Sequence, residues 1–414
     1  MATAQPRSAG STPSAPAPAG AGALPVRYRT AALPAEVVDG WRALAAGEPG
    51  GSWFTTPEWA LAWWETLGAA DRGAAPGPGG EGEGGGDGEI VVWRDGDGRV
   101  DAVVPLLRTV QRLHPRAPLP LPCLTVLGSG PGAADHCGFA VAPHRRAEVA
   151  DWLARRGRRT TLLLADLDPD QAGLLPPGAV EIGRTPCPRA DLTAGPDALG
   201  SRQFRANLRR YGRKLAAEGI TFRWVPPALA LSELPERFEL LHTAVRLHRL
   251  RRAALGRPTT FDEARAPLHL RVIERAADTG RGEGPAFLVA ERAGEVVGVL
   301  YGFQWRDTFA YYQIGWDVAW APLRLGTAVI AEAIRAAAGQ GLASFDFLRG
   351  TEPYKYRFDA VDREDVSWLV PRGVSGALLG LKYRAKAARR APADTPNTPD
   401  TPTTPEAPDA RTGD

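Results

Sequence analysis

The sequence predicts an α/β protein with a mixed (α+β) sheet, assembled from two copies of one strand–helix–strand unit. Three observations predict it. Residues 309–358 read as a strand, a glycine-led helix, a second short strand and a polar loop. Residues 90–93 and 99–107 flank Asp95-Gly96-Asp97-Gly98, a strong hairpin signal. Residues 89–105 (EIVVWRDGDGRVDAVVP) echo residues 286–300 (AFLVAERAGEVVGVL), and each stretch is followed by another strand, a helix and a further strand.

The chain has 414 residues, enough for two domains of ordinary size with tails. Hydrophobic content of 44% and charged content of 23% fit a soluble globular protein. A net charge of +3 gives no global pull toward nucleic acid or membrane, so any basic footprint is local. The three cysteines, Cys123, Cys137 and Cys187, are an odd set at irregular spacing, which argues against a disulfide framework. No stretch approaches the ~20 apolar residues of a membrane span. The N-terminus lacks the apolar core of a secretory signal, so the expected location is the cytoplasm. Abundant Arg, Ala, Gly and Pro with a single Met point to a GC-rich bacterial genome.

Residues 1–24 and 386–414 have too little apolar surface to order, and are expected to be disordered tails. A strand is expected at 25–28 and a helix at 33–46. A second helix opens on Thr56 as cap and Pro57 at its first position. Its Trp59 and Trp63 share a face, and are read as core. Residues 69–89 are a flexible Gly-rich insertion without the G-x-x-x-x-G-K-[ST] pattern of a phosphate loop. Asp135-His136-Cys137 has no second ligand pair at metal spacing, so it reads as a local hydrogen-bonded cluster. A helix at 145–156 and strands at 124–127 and 160–165 complete a first domain, 25–195. A second domain is expected over 196–385, joined through residues 190–200.

The second domain opens with a helix at 201–217. Phe204, Leu208 and Leu215 form its apolar stripe, and Arg205, Arg209 and Arg213 a cationic one that suits RNA, a phosphorylated substrate or plain solvent. The helix at 234–255 ends in Arg251 and Arg252. Its His242 and His248 stand six apart, which is not a metal pair. A helix follows at 262–277. After residue 358 come a strand at 366–370 and a basic amphipathic helix at 378–390. That helix reads as docked on the domain, with contact to an acidic membrane surface as the other reading.

The chemistry indicated by residues 309–358 is anion binding. Gly326 lets backbone approach a ligand where the helix at 327–338 begins. The first free N–H groups there, with the helix dipole, favour a phosphate.

Asp346, Arg349-Gly350, Glu352-Pro353, Tyr354-Lys355 and Phe358 carry a resemblance. This segment resembles the C-terminal signature of the CelD-type acetyltransferases, a GNAT-superfamily branch associated with cellulose biosynthesis and related to the FemAB-type transferases. The resemblance is clearest over residues 204–358 and looser from residue 53. It implies two tandem GNAT-like domains, the second carrying the donor site. It implies acetyl-CoA (acyl-CoA) as cosubstrate, with no permanently bound cofactor or metal. The reaction implied is direct N-acyl transfer to an amine of a small molecule or polysaccharide precursor. One position departs from the GNAT pyrophosphate pattern, Gln/Arg-x-x-Gly-x-Gly/Ala. Gly326-Thr327-Ala328 fit, but Leu323 stands at the first position with Arg324 one place late.

On this reading Ile314, Arg324, Leu325, Gly326, Thr327 and Ala328 hold the donor. The thioester lies between residues 311–315 and 345–348, where unpaired backbone N–H groups polarise it. Glu352 or Asp346 is the candidate base and Tyr354 or Tyr356 the acid. Lys355 holds a phosphate or carboxylate, and Arg205, Arg209, Arg251 and Arg349 bind substrate. Two alternatives stand beside it. One is a FemAB-like transferase taking an aminoacyl group from transfer RNA to a cell-wall precursor. The other is a non-catalytic GNAT-like binding module. None of the three involves DNA.

Overall fold

The computed structural model describes residues 24–47, 51–68, 88–114, 117–130, 134–259 and 261–390. The expected tails and Gly-rich insertion fall almost entirely outside these residues. The first half supplies β1 (Val26–Arg29), β2 (Gly88–Arg94), β3 (Val100–His114), β4 (Ala117–Val126), β5 (Ala140–Val141), β6 (Leu162–Leu167) and β7 (Val180–Asp191). Its helices are α1 (Ala35–Gly47), α2 (Pro57–Glu65) and α3 (Arg146–Gly157). The second half supplies β8 (Ile220–Val225), β9 (Gly284–Arg292), β10 (Glu295–Trp305), β11 (Thr308–Trp316), β12 (Ser344–Asp346) and β13 (Val361–Val370). Its helices are α4 (Arg202–Ala217), α5 (Leu234–Ala254), α6 (Ala266–Asp278), α7 (Leu325–Gly339), α8 (Pro353–Tyr356) and α9 (Gly373–Arg390).

All thirteen strands form one mixed sheet, ordered β1-β2-β3-β4-β6-β13-β7-β12-β11-β10-β9-β8, with β5 on β3. The duplication expected from the hairpin echo is present. In one half, β4, α3 and β6 follow in sequence and β4 pairs parallel with β6; in the other, β11, α7 and β12 do the same. The halves also exchange their last strands. β13 lies between β6 and β7, and β7 is the partner of β12. The expected join at residues 190–200 is a connection in sequence, while the sheet runs on without a break. Sequence reading missed β7 and β8 and saw only the end of β13, because β7 and β13 alternate charge with apolar residues and do not form apolar runs.

Both faces of the sheet are covered, which is why β10 is nearly all apolar. Val299, Tyr301, Phe303 and Trp305 point into one cluster with α2, α5 and α6. Leu300 points into the other, under α7. Trp59 is fully buried in α2 and its Nε1 donates to Gly128 O at 3.0 Å, so the tryptophan helix is core, as its spacing predicts. α5 lies directly on β11. A Cβ at Gly315 would stand 2.6 Å from the His248 backbone nitrogen, so only glycine permits this approach. α9 is docked, with Leu379 buried against Leu121, Cys123, Leu163 and Leu369.

The strand exchange makes the halves interdependent. Fragments 1–195 and 196–414 expressed alone are expected to show little native secondary structure by circular dichroism. The full chain is expected to unfold in one cooperative transition. A fragment that melts cooperatively on its own would contradict this.

Candidate active site

β11 and β12 pair at only three positions, Thr308 with Ser344, Phe309 with Phe345 and Ala310 with Asp346. β12 then stops while β11 continues to Trp316, so one edge of β11 is opened toward a cleft. The cleft has a cavity volume of about 150 Å³. α5, β11, α7 and the loop at Glu352–Tyr354 form its walls.

The wall from α7 begins at Arg324, which caps the helix in the left-handed region at φ 61° and lines the cleft. The backbone N–H groups of Leu325, Gly326 and Thr327 have no acceptor within the helix, as for any first turn. Gly326 and Thr327 line the cleft. The side chains of Leu325 and Ala328 are buried in the core behind it, so these two contribute backbone alone. Gly326 has a packing reason as well as a binding one. A Cβ there would lie 2.6 Å from the Trp316 indole nitrogen.

Four arginines line the cleft, Arg251, Arg252, Arg257 and Arg324. The Arg251 guanidinium sits 5.2 Å from the centre of the Trp316 ring. Arg252 donates through Nη2 to Pro258 O at 2.6 Å. His248 was read only as failing a metal spacing, yet it also lines the cleft. Its Nδ1 meets Ile314 O at 2.8 Å; a carbonyl only accepts, so Nδ1 carries the proton. Its Nε2 meets Thr259 Oγ1 at 2.9 Å. Ile314 thus stands in the cleft as expected, with its carbonyl already engaged. Trp316, Gln313 and Arg257 also belong to the lining and were not singled out from sequence. The signal available for the tryptophan was its place at the end of a strand facing a glycine helix entry.

Of the signature segment, Glu352, Tyr354 and Phe358 line the cleft. Tyr354 is hydrogen-bonded to Tyr311, and burial, with neighbouring Tyr311 and Glu352, raises its phenol well above the ordinary value. Glu352 Oε2 lies 3.0 Å from Lys355 Nζ as an ion pair, without the alignment of a hydrogen bond.

The other signature residues hold the loop, and the structure corrects several expected roles. Lys355 is buried, and its Nζ donates to the carbonyls of Leu348, Arg349 and Gly350 at 3.1, 2.7 and 3.0 Å. Its donors are spent on these carbonyls, so it does not reach a substrate phosphate. Leu348 and Gly350 have positive φ (54° and 110°), and the ammonium gathers the carbonyls of this tight turn. Arg349 is ion-paired with Asp135 and Asp166 of the first half and donates to Ala134 O at 2.6 Å, away from the cleft. Tyr356 is exposed, and its hydroxyl donates to Asp362 at 2.8 Å; it does not line the cleft. Arg205 donates to the carbonyls of Ala198 and Gly200. Together with Arg209 it borders a separate small depression beside Phe358.

Asp346 is the furthest from its expected role as base. It is buried, accepts from the Leu348 N–H at 2.7 Å and pairs with His136 Nε2 at 3.1 Å. The other ring nitrogen of His136 meets Asp365 at 2.7 Å, and Asp365 also accepts from the His136 N–H at 2.6 Å. Burial alone would lower the His136 pKa, but Asp346 and Asp365 raise it well above the ordinary value. Burial would raise Asp346, but His136 holds it below the ordinary carboxylate range. The imidazolium therefore sits between two carboxylates, one from each of the last two strands. Cys187 adds a weak S–H donor 3.7 Å from Asp365. The Asp135-His136-Cys137 stretch is thus a hydrogen-bonded cluster, and its partners come from the other half.

Comparison with known proteins follows this geometry. Residues 202–356 match the family model described as Acetyltransferase (GNAT) domain. The second half carries a GNAT-type acyltransferase fold. No curated protein matches the chain. Among solved structures, FemX is similar with a TM-score of 0.55 at 11% identity, over 84% of this chain and 98% of that one. The C-terminal domain of a putative lysylphosphatidylglycerol synthetase from Agrobacterium fabrum gives 0.50 at 11% identity, over 85% and 96%. A tandem GNAT protein from the clavulanic acid biosynthesis pathway gives 0.39 at 15%, over 84% and 97%. For the first two, at 11% identity, the likeness is one of fold. No helix among the described residues is long and apolar enough to cross a membrane.

His136→Ala should destabilise the protein by ~3–5 kcal/mol at neutral pH, because two buried carboxylates lose their shared cation. Because the folded-state pKa of His136 is raised, its stabilising contribution is complete below about pH 6.5 and fades as pH climbs to the folded-state value. Melting temperatures of wild type and variant measured across pH should therefore converge at alkaline pH. A constant gap would refute the assignment.

Proposed function

We propose that the chain is an acyl-CoA-dependent N-acyltransferase of the CelD-type branch. It would transfer an acetyl group to the amine of a small molecule or polysaccharide precursor. One observation carries the reading. The pairing of β11 with β12 opens directly after Ala310 and Asp346, in front of the first turn of α7 and among four arginines. This arrangement suits a long thiol carrier with phosphates at one end. The amides of Leu325, Gly326 and Thr327 and the Arg324 guanidinium would hold the pyrophosphate. Arg251, Arg252 and Arg257 would neutralise the remaining phosphate charge.

The thioester would lie along the edge of β11 beyond its pairing with β12, where a strand N–H can polarise its carbonyl. The acceptor nitrogen attacks the carbonyl carbon, the C–N bond forms and the C–S bond breaks. Glu352 is placed to take the proton from the amine. Tyr354 keeps its proton at neutral pH and would donate a hydrogen bond to the departing thiolate, while the proton that Glu352 takes from the amine would pass to the sulfur. The buried Lys355 and Asp346 and the half-buried Arg349 would support this by fixing the loop that carries Glu352 and Tyr354.

An aminoacyl-tRNA donor is the second reading. It is favoured by the exposed Arg209, Arg210 and Arg213 of α4, which add to the arginines of the cleft. Calorimetric titration with acetyl-CoA and with aminoacyl-tRNA separates the two. Acetyl-CoA is expected to bind in the micromolar range and aminoacyl-tRNA not to bind. The useful control is Thr327→Glu, since any side chain at Gly326 also displaces Trp316. Thr327→Glu is expected to abolish acetyl-CoA binding without changing the melting temperature. A folded protein that binds neither donor would leave the non-catalytic module.

Once an acceptor is found, Tyr354→Phe and Glu352→Gln should each lower kcat on the order of 10²-fold, with donor affinity unchanged. Lys355→Met should lower both kcat and stability, because it frees three carbonyls. Unchanged turnover in Glu352→Gln would remove that residue from the mechanism.

A further inference from the structure

The mixed charges of the chain are segregated at one place. Residues 102–134 contain no Asp or Glu, and neither do residues 366–393, although the chain carries 47 acidic residues. These two segments abut in the structure. α9 packs on β4 through Leu379, Leu121 and Cys123. Ser375 Oγ donates to Pro122 O at 3.2 Å, and Lys382 Nζ donates to Arg112 O at 2.8 Å. The result is a face where cations occur without carboxylates of their own segments. Arg372, just before α9, and Arg384 and Lys386 on it are exposed, and Lys382 is half-buried.

The same face presents apolar side chains to solvent. Val374 is 77% exposed and Leu381 59%. They stand seven residues apart, two turns along one side of α9, with the exposed Ala377 between them. Leu119 of β4 is 49% exposed and shares the strand face of Leu121 and Cys123, so it sits on the α9 side of the sheet. A helix docked by one apolar stripe ordinarily shows a polar face to water. This one carries a second apolar stripe flanked by cations, on an 18-residue helix without an acidic residue.

We propose that α9, with the adjoining end of β4, is a docking surface for an anionic lipid bilayer. Val374, Leu381 and Leu119 would enter the interface, and Arg372, Lys382, Arg384 and Lys386 would meet the lipid phosphates. Charge complementarity selects this occupant over a second copy of the chain, since two copies would bring identical cationic faces together. The surface lies on a different element from the donor cleft and does not depend on the donor's identity.

Sedimentation of the full chain with vesicles tests this. The chain should bind phosphatidylcholine vesicles that contain phosphatidylglycerol, fail to bind pure phosphatidylcholine, and detach as salt is raised. Arg384→Glu/Lys386→Glu should weaken binding by on the order of fivefold for each cation removed, and more for the reversals. Val374→Asp/Leu381→Asp should abolish it. All four positions are exposed, so both variants should keep the wild-type melting temperature and acetyl-CoA affinity. Absence of vesicle binding, or equal binding to both lipid compositions, would overturn the proposal. So would dimerisation in analytical ultracentrifugation that Val374→Asp/Leu381→Asp abolishes while vesicle binding is absent.

Discussion

The pairing of β13 with β6 on one edge and β7 on the other is the constraint on which the rest depends. It threads the last strand of the second half into the sheet of the first. It also delivers Asp365 to His136, a residue of the first half. Asp346, at the end of β12, reaches the same imidazole from the other side. One cation thus ties together the turn before β5, the end of β12 and the middle of β13. Arg349 adds a second tie, to Asp135 and Asp166. A buried ion cluster of this kind costs desolvation and is weak support for overall stability. What it supplies is position, because a misplaced strand would leave a charge buried and unpaired.

That position matters for the cleft. The loop after β12 turns through Leu348 and Gly350, is closed by Lys355 on three carbonyls, and presents Glu352 and Tyr354 to the opened edge of β11. Among the described residues, the first half holds no comparable arrangement. At the start of α3, the helix matching α7, Arg145 is ion-paired with Asp101 and Glu148. An anion there would meet two carboxylates. The first half therefore clamps the loop that carries Glu352 and Tyr354, through Asp135, Asp166 and His136.

Arginines, the first turn of α7, a carboxylate and two linked phenols meet in the cleft, and the Arg251 cation acts on the Tyr354 phenol. The α5 helix covers this space by lying on Gly315. His248 reaches from it to take the Ile314 carbonyl, which spends one backbone acceptor of the open strand.

Much of the fold was legible in the sequence, because hydrophobic period and turn chemistry are local. The Asp95–Gly98 hairpin, the Trp59 helix, α7 and its glycine entry, and the repetition of one α/β unit all follow from spacing. Gly326 and Thr327 were likewise legible, since a helix start is a local feature with fixed electrostatics. The roles of Asp346, Arg349, Lys355 and Tyr356 were not. Each is a polar residue in a polar loop, and sequence does not say whether its partner is a ligand, a carbonyl or a residue two hundred positions away. His248 and Trp316 were hidden for the same reason, being placed by the contact of α5 with β11. Local periodicity determined which elements form. Long-range pairing decided which side chains face the cleft, because the sheet order and the exchange of β7 with β13 depend on contacts that no short stretch of sequence encodes.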